Sequence, residues 1–391
     1  DFSQLERICN KQSISAYIGF DCTASSLHVG SLLQIMILKL MQKHGHKPIV
    51  LLGGGTTLIG DPSGKDSTRK ILDEKKIKKN IQNIKKVFNK ILITNKKSVK
   101  PIFVDNANWL TKLNYIKFLR EVGSHFTINK MLTFDSVKMR LDREQSLSYM
   151  EFNYMILQAY DFLELNKKEN CSLQIGGSDQ WGNIVNGTEL IKRYSSKQAY
   201  GLTTPLITLS SGAKMGKTES GAIWLDEKLL SSYDYWQFWR NIDDRDVIKF
   251  LKMFTDLDIE EIDKMKDEDI NKLKIKLANE TTTMLHGLKA AKSSEQAAKE
   301  AFSGTSLGSN LPSIKIKKTD IENKMSIIDL VILSKLENSK SEIRRLIKGN
   351  AIKLNDEIIS QENLIISYEL FRQNYLKLSV GKKRHLKIEL S

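Results

Sequence analysis

Cysteine is scarce in this sequence. The 391 residues include three cysteines, Cys9, Cys22 and Cys171, which lie far apart and form no C-x-x-C pair. An odd number of scattered cysteines argues against a disulfide framework and against a zinc ribbon. The same usage favours a reducing compartment, so we expect a cytoplasmic protein, with an organelle matrix as the alternative.

Long apolar runs are also missing. The most apolar stretch, residues 32–41, is too short to span a bilayer and contains Lys39. No secretory signal is visible either. We therefore expect no membrane partner.

Acidic residues are outnumbered by basic ones. Lys and Arg number 61 against 46 Asp and Glu, which gives a formal net charge of +15. A polyanionic partner is the natural inference, nucleic acid before a membrane surface. A compositional bias of the coding DNA toward Lys, Ile and Asn would produce the same excess without any partner. The charge alone therefore does not establish a polyanionic partner.

Five strand-like runs alternate with helical stretches. They fall at residues 16–20, 48–52, 102–105, 172–175 and 206–209. This alternation indicates βαβ units around a parallel sheet, and ligands bind such sheets beyond the carboxyl ends of the strands. Polar or glycine-rich segments follow four of these runs: Asp21, Gly53-Gly54-Gly55, Asp105-Asn106 and Gly176-Gly177-Ser178-Asp179. We therefore expect one crevice at this edge of the sheet.

The change of pattern along the chain predicts three domains. Residues 1–226 are expected to form a Rossmann-like α/β domain with a parallel sheet, and residues 227–312 an α-helical domain that ends in a Gly/Ser/Pro linker. Residues 313–391 combine a basic helix, an Asn/Gly turn and a basic final strand, which predicts a small α+β RNA-binding domain. Its candidate RNA contacts are Lys340, Arg344, Arg345, Lys382, Lys383 and Arg384.

The stretch from Ala16 to Met41 indicates a strand, a polar turn and a helix, with Ser25 and Ser26 as candidate N-caps. This geometry collects anions because unpaired backbone N–H groups and the helix dipole point at one place. His28 is expected within the first helical turn, where its imidazole could reach a phosphate oxygen. Gly30 would let a flat ring lie close to the backbone. A capped helix with a solvated histidine gives the same pattern.

A polar stripe marks the helical stretch at residues 146–165. Tyr154, Gln158 and Asp161 recur at i, i+4 and i+7, on one face of a helix. Such a stripe is usually the solvent side. If buried instead, it could bind a phenol and an ammonium group.

Two lysines lie three residues apart in the segment Gly212-Ala-Lys-Met-Gly-Lys-Thr-Glu-Ser220, a cationic clamp suited to a polyphosphate. Together with His28-Val-Gly-Ser31, the part Lys214-Met-Gly-Lys-Thr218 resembles the two signatures of class I aminoacyl-tRNA synthetases. Gln174-Ile-Gly-Gly-Ser-Asp-Gln-Trp-Gly-Asn183 is similar to the tyrosyl-tRNA synthetases of the bacterial and organellar type. The resemblance runs from about Tyr17 to Ile388.

This resemblance implies three sets of site residues. The tyrosine-binding set is Tyr17 and Asp161 for the phenolic hydroxyl, Asp61, Tyr154 and Gln158 for the ammonium group, and Gln180 for the carboxylate region. The ATP-binding set is Gly19, Asp21, Gly30, Gly177 and Asp179, with Lys65 and Arg69 as auxiliary basic positions. The catalytic set, expected to hold the β- and γ-phosphates, is Thr23, His28, Lys214, Lys217 and Thr218.

The sequence departs from the resembled pattern at five positions. Ser31 stands where His is usual, Ile18 where Cys is often found, and Cys22 where Pro is usual. Thr57 stands where Gly is common. Gly216 stands where the general class has Ser, and glycine at this position is the tyrosyl variant of the signature. None of these changes removes a charged catalytic group.

The activity implied by the resemblance is a tyrosine–tRNA ligase with a catalytic α/β domain. It would activate L-tyrosine with ATP, accompanied by Mg²⁺ on the polyphosphate and with no tightly bound protein-ligated metal, and then charge tRNA(Tyr) as a homodimer. A tryptophanyl-tRNA synthetase and a synthetase-derived RNA-binding or splicing factor are the alternatives. A small nucleotidyltransferase of the same superfamily is a third, which would lack the domains after residue 227.

Overall fold

The computed structural model describes residues 2–61, 72–92, 99–212, 215–218, 221–303, 311, 313–371, 375–381 and 384–390. The chain divides into two compact units, Asp1–Leu229 and Leu230–Ser391. Within the described ranges, no helix combines the length and the apolar character that crossing a membrane requires.

The first unit is built on a five-stranded parallel sheet of order β3-β2-β1-β4-β5. The strands are β1 Ser15–Asp21, β2 Lys47–Gly53, β3 Ile102–Asp105, β4 Cys171–Gly177 and β5 Tyr200–Thr204. β2 is buried along almost its whole length, as its unbroken apolar run Ile49-Val-Leu-Leu52 requires of a strand covered on both faces. The predicted parallel sheet is confirmed.

The fifth strand was wrongly predicted. It spans Tyr200–Thr204 and pairs with β4 from Leu173 to Gly177, whereas residues 206–209 lie beyond it. Pro205 explains the difference, because proline has no N–H for the sheet ladder and ends the pairing. The apolar run that follows serves another purpose, since Leu206 borders the cavity described below.

Ten helices and a small hairpin complete the described part of this unit. The helices are α1 Phe2–Lys11, α2 Leu32–Lys43, α3 Thr56–Ile59, α4 Glu74–Ile91, α5 Ala107–Leu110, α6 Tyr115–Glu121, α7 Ile128–Met131, α8 Asp135–Asp142, α9 Tyr149–Glu169 and α10 Trp181–Ser195. The hairpin pairs β6 Lys217–Thr218 with β7 Gly221–Ala222.

The helix α9 is fixed at both of its ends. Ser148 is its N-cap and forms a capping box with Glu151, and Asn170 ends it in the left-handed conformation. Phe162 and Leu163 of this helix are fully buried in the same core as Tyr17 of β1. The side chains on the neighbouring face of α9 are thereby held against the carboxyl ends of the strands.

The second unit begins with helices and ends with a mixed sheet. The helices are α11 Ser232–Arg240, α12 Val247–Phe254, α13 Ile259–Lys264, α14 Ile270–His286, α15 Leu288–Ser303, α16 Lys318–Glu322, α17 Ile327–Leu333 and α18 Lys340–Lys348. The sheet has the order β10-β9-β11-β12-β8 and contains β8 Ser313–Ile316, β9 Ile352–Leu354, β10 Glu357–Ile358, β11 Tyr375–Val380 and β12 Arg384–Leu390. The predicted helical stretch and the predicted α+β segment are both confirmed.

Candidate active site

A cavity of about 300 Å³ opens at the carboxyl ends of the central strands. Strand ends and the segments after them supply part of its lining: Asp21, Gly53, Asn106, Gly176, Gly177 and Asp179. The expected convergence on one crevice is therefore observed. Asp105 differs from its neighbours, because its carboxylate accepts the N–H of Ala107, the first residue of α5.

All six residues of the expected tyrosine-binding set line this cavity: Tyr17, Asp61, Tyr154, Gln158, Asp161 and Gln180. The stripe on α9 therefore faces inward and not toward solvent. Gln180 connects two of the elements, since its amide donates to Asp61 at 3.2 Å and its carbonyl oxygen accepts from Asn183 at 3.0 Å.

Asp161 is the most enclosed carboxylate of the site, with 1% of its surface exposed. Its Oδ1 accepts a hydrogen bond from Trp109 Nε1 at 2.7 Å, and its Oδ2 accepts one from Asn106 Nδ2 at 2.8 Å. Burial raises the pKa of Asp161 to about 7, and these two hydrogen bonds oppose the rise by stabilising the anion. Sequence reasoning gave Trp109 no role and placed Asn106 only at a strand end.

Three buried polar atoms in the cavity lining have no hydrogen-bond partner among the described residues. They are the hydroxyl of Tyr17 and the amide oxygens of Gln158 and Gln174. An unpaired buried polar atom costs about 1–3 kcal/mol, so such atoms rarely cluster without a polar ligand to satisfy them. Burial, with the charge of Asp161, raises the pKa of Tyr17, so its hydroxyl keeps its proton and can donate. Gln174 was missed as a site residue, although the quoted motif begins with it.

The glycine-dense segment after β2 brings backbone close to the Asp21 carboxylate. A Cβ at Gly53 would lie 2.5 Å from Asp21 Oδ1 and 2.5 Å from Thr56 Oγ1. Thr56 Oγ1 donates to Asp21 Oδ1 at 3.0 Å, and the Tyr154 hydroxyl donates to Asp21 Oδ2 at 3.4 Å. The structure gives Gly53 a specific packing reason.

His28 caps a helical turn with its own side chain. It is the N-cap of the short 3₁₀ turn Val29–Ser31, and its Nδ1 accepts the Gly30 N–H at 3.0 Å. The expected caps Ser25 and Ser26 were wrong; the Ser26 hydroxyl donates to the Leu27 carbonyl instead. With Nδ1 acting as acceptor, neutral His28 carries its proton on Nε2, which is the correct tautomer for donating to an anion.

The first signature segment pairs with residues just after the second, and the two signatures approach each other at Gly30 and Gly216. Backbone hydrogen bonds of 2.9 Å join the Val29 N–H to Ile223 O and the Leu225 N–H to Leu27 O, and the His28 ring lies edge-on to Trp224. Gly216 has φ +97°, and a Cβ there would lie 2.6 Å from the Gly30 nitrogen. This close approach explains why glycine stands at position 216.

The remaining expected site residues are placed as follows. Gly19 and Gly30 line the cavity, as do Ser31 and Gln34 on the α2 side. Thr23 is exposed just after Cys22. Lys65, Arg69, Lys214, Lys382 and Lys383 lie outside the described residues, and Lys217 and Thr218 are described only as the backbone of β6.

The expected RNA contacts that are described lie on α18 and at the start of β12. Each has an acidic neighbour: Lys340 with Asp329 at 3.8 Å, Arg344 with Glu362 at 3.6 Å, Arg345 with Glu342 at 2.7 Å, and Arg384 with Glu337 at 3.6 Å. Exposed pairs of this kind contribute little to stability, so they can exchange for phosphate groups. Among the described side chains, no group of three or more His, Cys, Asp or Glu residues could hold a metal ion.

Two family models match consecutive parts of the chain. Residues 10–303 match the model described as tRNA synthetases class I (W and Y). Residues 304–388 match the model described as the tyrosine–tRNA ligase SYY-like C-terminal domain.

Proteins and solved structures that are similar to this chain are named as tyrosine–tRNA ligases or tyrosyl-tRNA synthetases. A tyrosine–tRNA ligase of Pelagibacter ubique is 69% identical over 386 residues, covering 99% of this chain and 94% of the relative. One of Rickettsia massiliae is 51% identical over 394 residues, covering 100% and 96%. The crystal structure of a C-terminally truncated Aspergillus nidulans mitochondrial tyrosyl-tRNA synthetase is 30% identical with a TM-score of 0.70, covering 77% of this chain and 89% of that one. The chain belongs to the class I tRNA synthetases of the W and Y family, and within that family to the tyrosine–tRNA ligases.

Proposed function

We propose that the cavity at the strand ends is where this chain activates L-tyrosine with ATP, before the tyrosyl group passes to tRNA(Tyr). The observation that carries this assignment is one cavity containing the buried carboxylate of Asp161 and the unpaired hydroxyl of Tyr17. A ligand hydroxyl between them would donate to the carboxylate and accept from Tyr17, and so satisfy both groups. The para-hydroxyl of tyrosine has the right chemistry.

The phenolic end of the substrate lies between Asp161 and Tyr17. Asp161 accepts the phenolic proton as a third hydrogen bond, beside those from Trp109 and Asn106. Phenylalanine would leave the carboxylate without this donor in a site that excludes water, at a cost of several kcal/mol. This end of the cavity therefore selects tyrosine.

The amino-acid end lies near α9 and the start of α10. The Gln158 amide oxygen, Asp61 and Tyr154 accept from the substrate ammonium group. Gln180 orients the carboxylate, which is the nucleophile. In the first step the carboxylate oxygen attacks the α-phosphorus of ATP, tyrosyl-adenylate forms, and pyrophosphate leaves.

The phosphate end lies at the turn after β1 and at the lysine loop. Thr23, His28 through Nε2, Lys214, Lys217 and Thr218 hold the β- and γ-phosphates as negative charge develops on the leaving group. Mg²⁺ arrives with the polyphosphate of ATP. Gly19, Asp21 and Gly30 approach the nucleotide, Gly177 and Asp179 hold the ribose, and Lys65 and Arg69 add positive charge. The protein contributes positioning and charge stabilisation, with no covalent enzyme intermediate.

The later regions bind RNA, and a surface of the first region binds a second subunit. We assign 1–226 to catalysis, 227–312 to the anticodon side of the tRNA, and 313–391 to RNA binding through Lys340, Arg344, Arg345, Lys382, Lys383 and Arg384. A homodimer is supported by large apolar side chains that α6 and α8 expose: Tyr115, Ile116, Leu119, Met139 and Leu141. The bacterial relatives support a cytoplasmic location.

ATP–pyrophosphate exchange with each of the twenty amino acids tests the proposal. We expect exchange that depends on tyrosine alone. Exchange supported by tryptophan would identify the other member of the W and Y family. Absence of exchange with every amino acid would identify a synthetase-derived RNA-binding protein.

A further inference from the structure

The turn that follows β1 is held from two sides by side chains that do not line the cavity. The Cys22 N–H donates to Thr57 Oγ1 at 2.8 Å, and the Cys22 carbonyl accepts from Asn80 Nδ2 at 2.7 Å. Both backbone groups of one residue are thus paired with side chains, from α3 and from α4. Cys22 is fully buried, and Thr57 and Asn80 are 5% and 3% exposed.

This residue lies between two members of the proposed site. Asp21, immediately before it, lines the cavity and accepts from Thr56. Thr23, immediately after it, is exposed and assigned to the phosphates. Because the two peptide groups of Cys22 connect these neighbours, fixing those groups fixes where Asp21 and Thr23 point.

Positions 22 and 57 are also two of the departures noted in the sequence. The resembled pattern has proline and glycine there, but proline has no N–H to donate and glycine has no hydroxyl to accept. The two departures therefore meet in a single hydrogen bond, although they are 35 residues apart in the chain. A proline ring at position 22 would clash with the Thr57 hydroxyl, and a glycine at position 57 would leave the buried Cys22 N–H unpaired.

The thiol of Cys22 has a separate, passive part. Burial raises its pKa to about 12, so the sulfur stays protonated and unreactive. It donates a weak hydrogen bond to the Phe20 carbonyl at 3.6 Å. Cys22 therefore contributes to this turn through its backbone N–H and carbonyl groups.

We propose that Thr57 and Asn80 are positioning residues that hold the turn bearing Asp21 and Thr23 for the reaction with ATP. The Cys22–Thr57 hydrogen bond restricts this turn where the resembled pattern relies on the fixed φ angle of proline. The inference rests on the proposed placement of the ATP phosphates at this turn. It goes beyond that placement by assigning work to two residues that touch no substrate.

The first test compares Thr57→Val with Thr57→Ser in the full chain. Valine keeps the shape but removes the acceptor, whereas serine keeps the hydroxyl. We expect Thr57→Val to lower kcat for tyrosine-dependent ATP–pyrophosphate exchange about tenfold, with KM for tyrosine changed less than about twofold, and Thr57→Ser to restore most of the rate. Thr281→Val is the matched control, because it removes a fully buried, hydrogen-bonded threonine hydroxyl from α14 in the other unit.

The second test is a double-mutant cycle of Cys22→Pro and Thr57→Gly. We expect each single variant to lose activity and the double variant, which recreates the resembled pair, to regain most of it. Additive losses in the cycle, a wild-type kcat in Thr57→Val, or an equal loss in Thr57→Ser would each overturn the inference. A wild-type chain without tyrosine-dependent exchange would instead refute the proposed function.

Discussion

Asp161 in the cavity and Glu362 on the second unit each face two donor groups, but they differ in exposure. Asp161 is 1% exposed and accepts from Trp109 and Asn106 at 2.7 and 2.8 Å. The Glu362 side chain is 29% exposed and lies 3.6 Å from both Arg344 and Lys348, which are 52% and 77% exposed. The two carboxylates have the same chemistry in different surroundings.

Burial decides what each carboxylate can do. Water can replace any partner that Glu362 loses, so its ion pairs are weak, screened by salt and free to exchange for phosphate. No water replaces a lost partner of Asp161. Binding a substrate without the matching donor therefore costs the full free energy of the missing hydrogen bond. The buried region suits a choice between two similar amino acids, and the exposed region suits reversible binding of a polyanion.

Removal of the buried carboxylate should have the largest effect. Asp161→Ala leaves the Trp109 N–H and one of the Asn106 N–H groups unpaired and removes the acceptor for the phenol. We expect the rate of tyrosine-dependent ATP–pyrophosphate exchange to fall about a hundredfold or more. Asp263→Asn, which removes an exposed paired carboxylate in α13, is the control and should retain the wild-type rate. An Asp161→Ala enzyme as active as the control would remove Asp161 from the pocket.

Removal of one donor to Asp161 should have a smaller effect. Trp109→Phe keeps an aromatic ring but deletes the Nε1–H that lies 2.7 Å from Asp161. A hydrogen bond to a charged group contributes about 1.5–3 kcal/mol, so kcat/KM for tyrosine should fall roughly tenfold to a hundredfold. Steady-state kinetics at saturating ATP provide the measurement. Unchanged kinetics would show that Asp161 needs no such support.

The pH dependence of tyrosine binding sharpens the comparison further. The pKa of Asp161 in the empty site is raised to about 7, and the ionised form accepts the phenolic proton much more strongly than the neutral acid does. Affinity should therefore rise with pH, by roughly tenfold between about pH 6 and pH 8, because the ionised fraction rises in that window. Calorimetric titration of tyrosine at several pH values measures this, with Asp161→Asn as the variant whose profile should be flat. A wild-type affinity that falls over this window contradicts the assignment.

Substitutions in the exposed region should have the smallest effects. Arg344→Gln with Arg345→Gln removes two charges from α18 and should weaken tRNA binding several-fold while reducing its salt dependence. ATP–pyrophosphate exchange, which needs no tRNA, should be unchanged in the same variant. Glu362→Gln frees Arg344 and Lys348 and should leave tRNA binding equal or tighter. Weaker binding in Glu362→Gln would mean that this carboxylate orients the basic side chains.

Local patterns predicted much of this molecule. The three residues at i, i+4 and i+7 on α9 were correctly placed on one face, because helical period is a property of a short segment, but the pattern favoured the solvent side and the structure turns that face inward. The polar ends of the strands converge because a parallel sheet puts all carboxyl ends on one edge. Both inferences need only the sequence near each residue.

Contacts between distant segments could not be predicted in the same way. Trp109 and Asn106 are more than fifty residues from Asp161 in the sequence. No local pattern predicts that they donate hydrogen bonds to it. Cys22 and Thr57 were noted as separate departures, and only the structure joins them. The fifth strand and the Ser25 and Ser26 caps were wrong where one residue, Pro205 or His28, overrode an otherwise reasonable local pattern.

The most direct test of the central claim is the ratio of kcat/KM for tyrosine to that for phenylalanine, measured by ATP–pyrophosphate exchange in the wild type and in Asp161→Asn. Asparagine keeps the size of the side chain but cannot accept with a full negative charge. If the buried carboxylate recognises the para-hydroxyl, the ratio falls by about a hundredfold, chiefly because tyrosine loses its advantage. An unchanged ratio in Asp161→Asn would contradict the account.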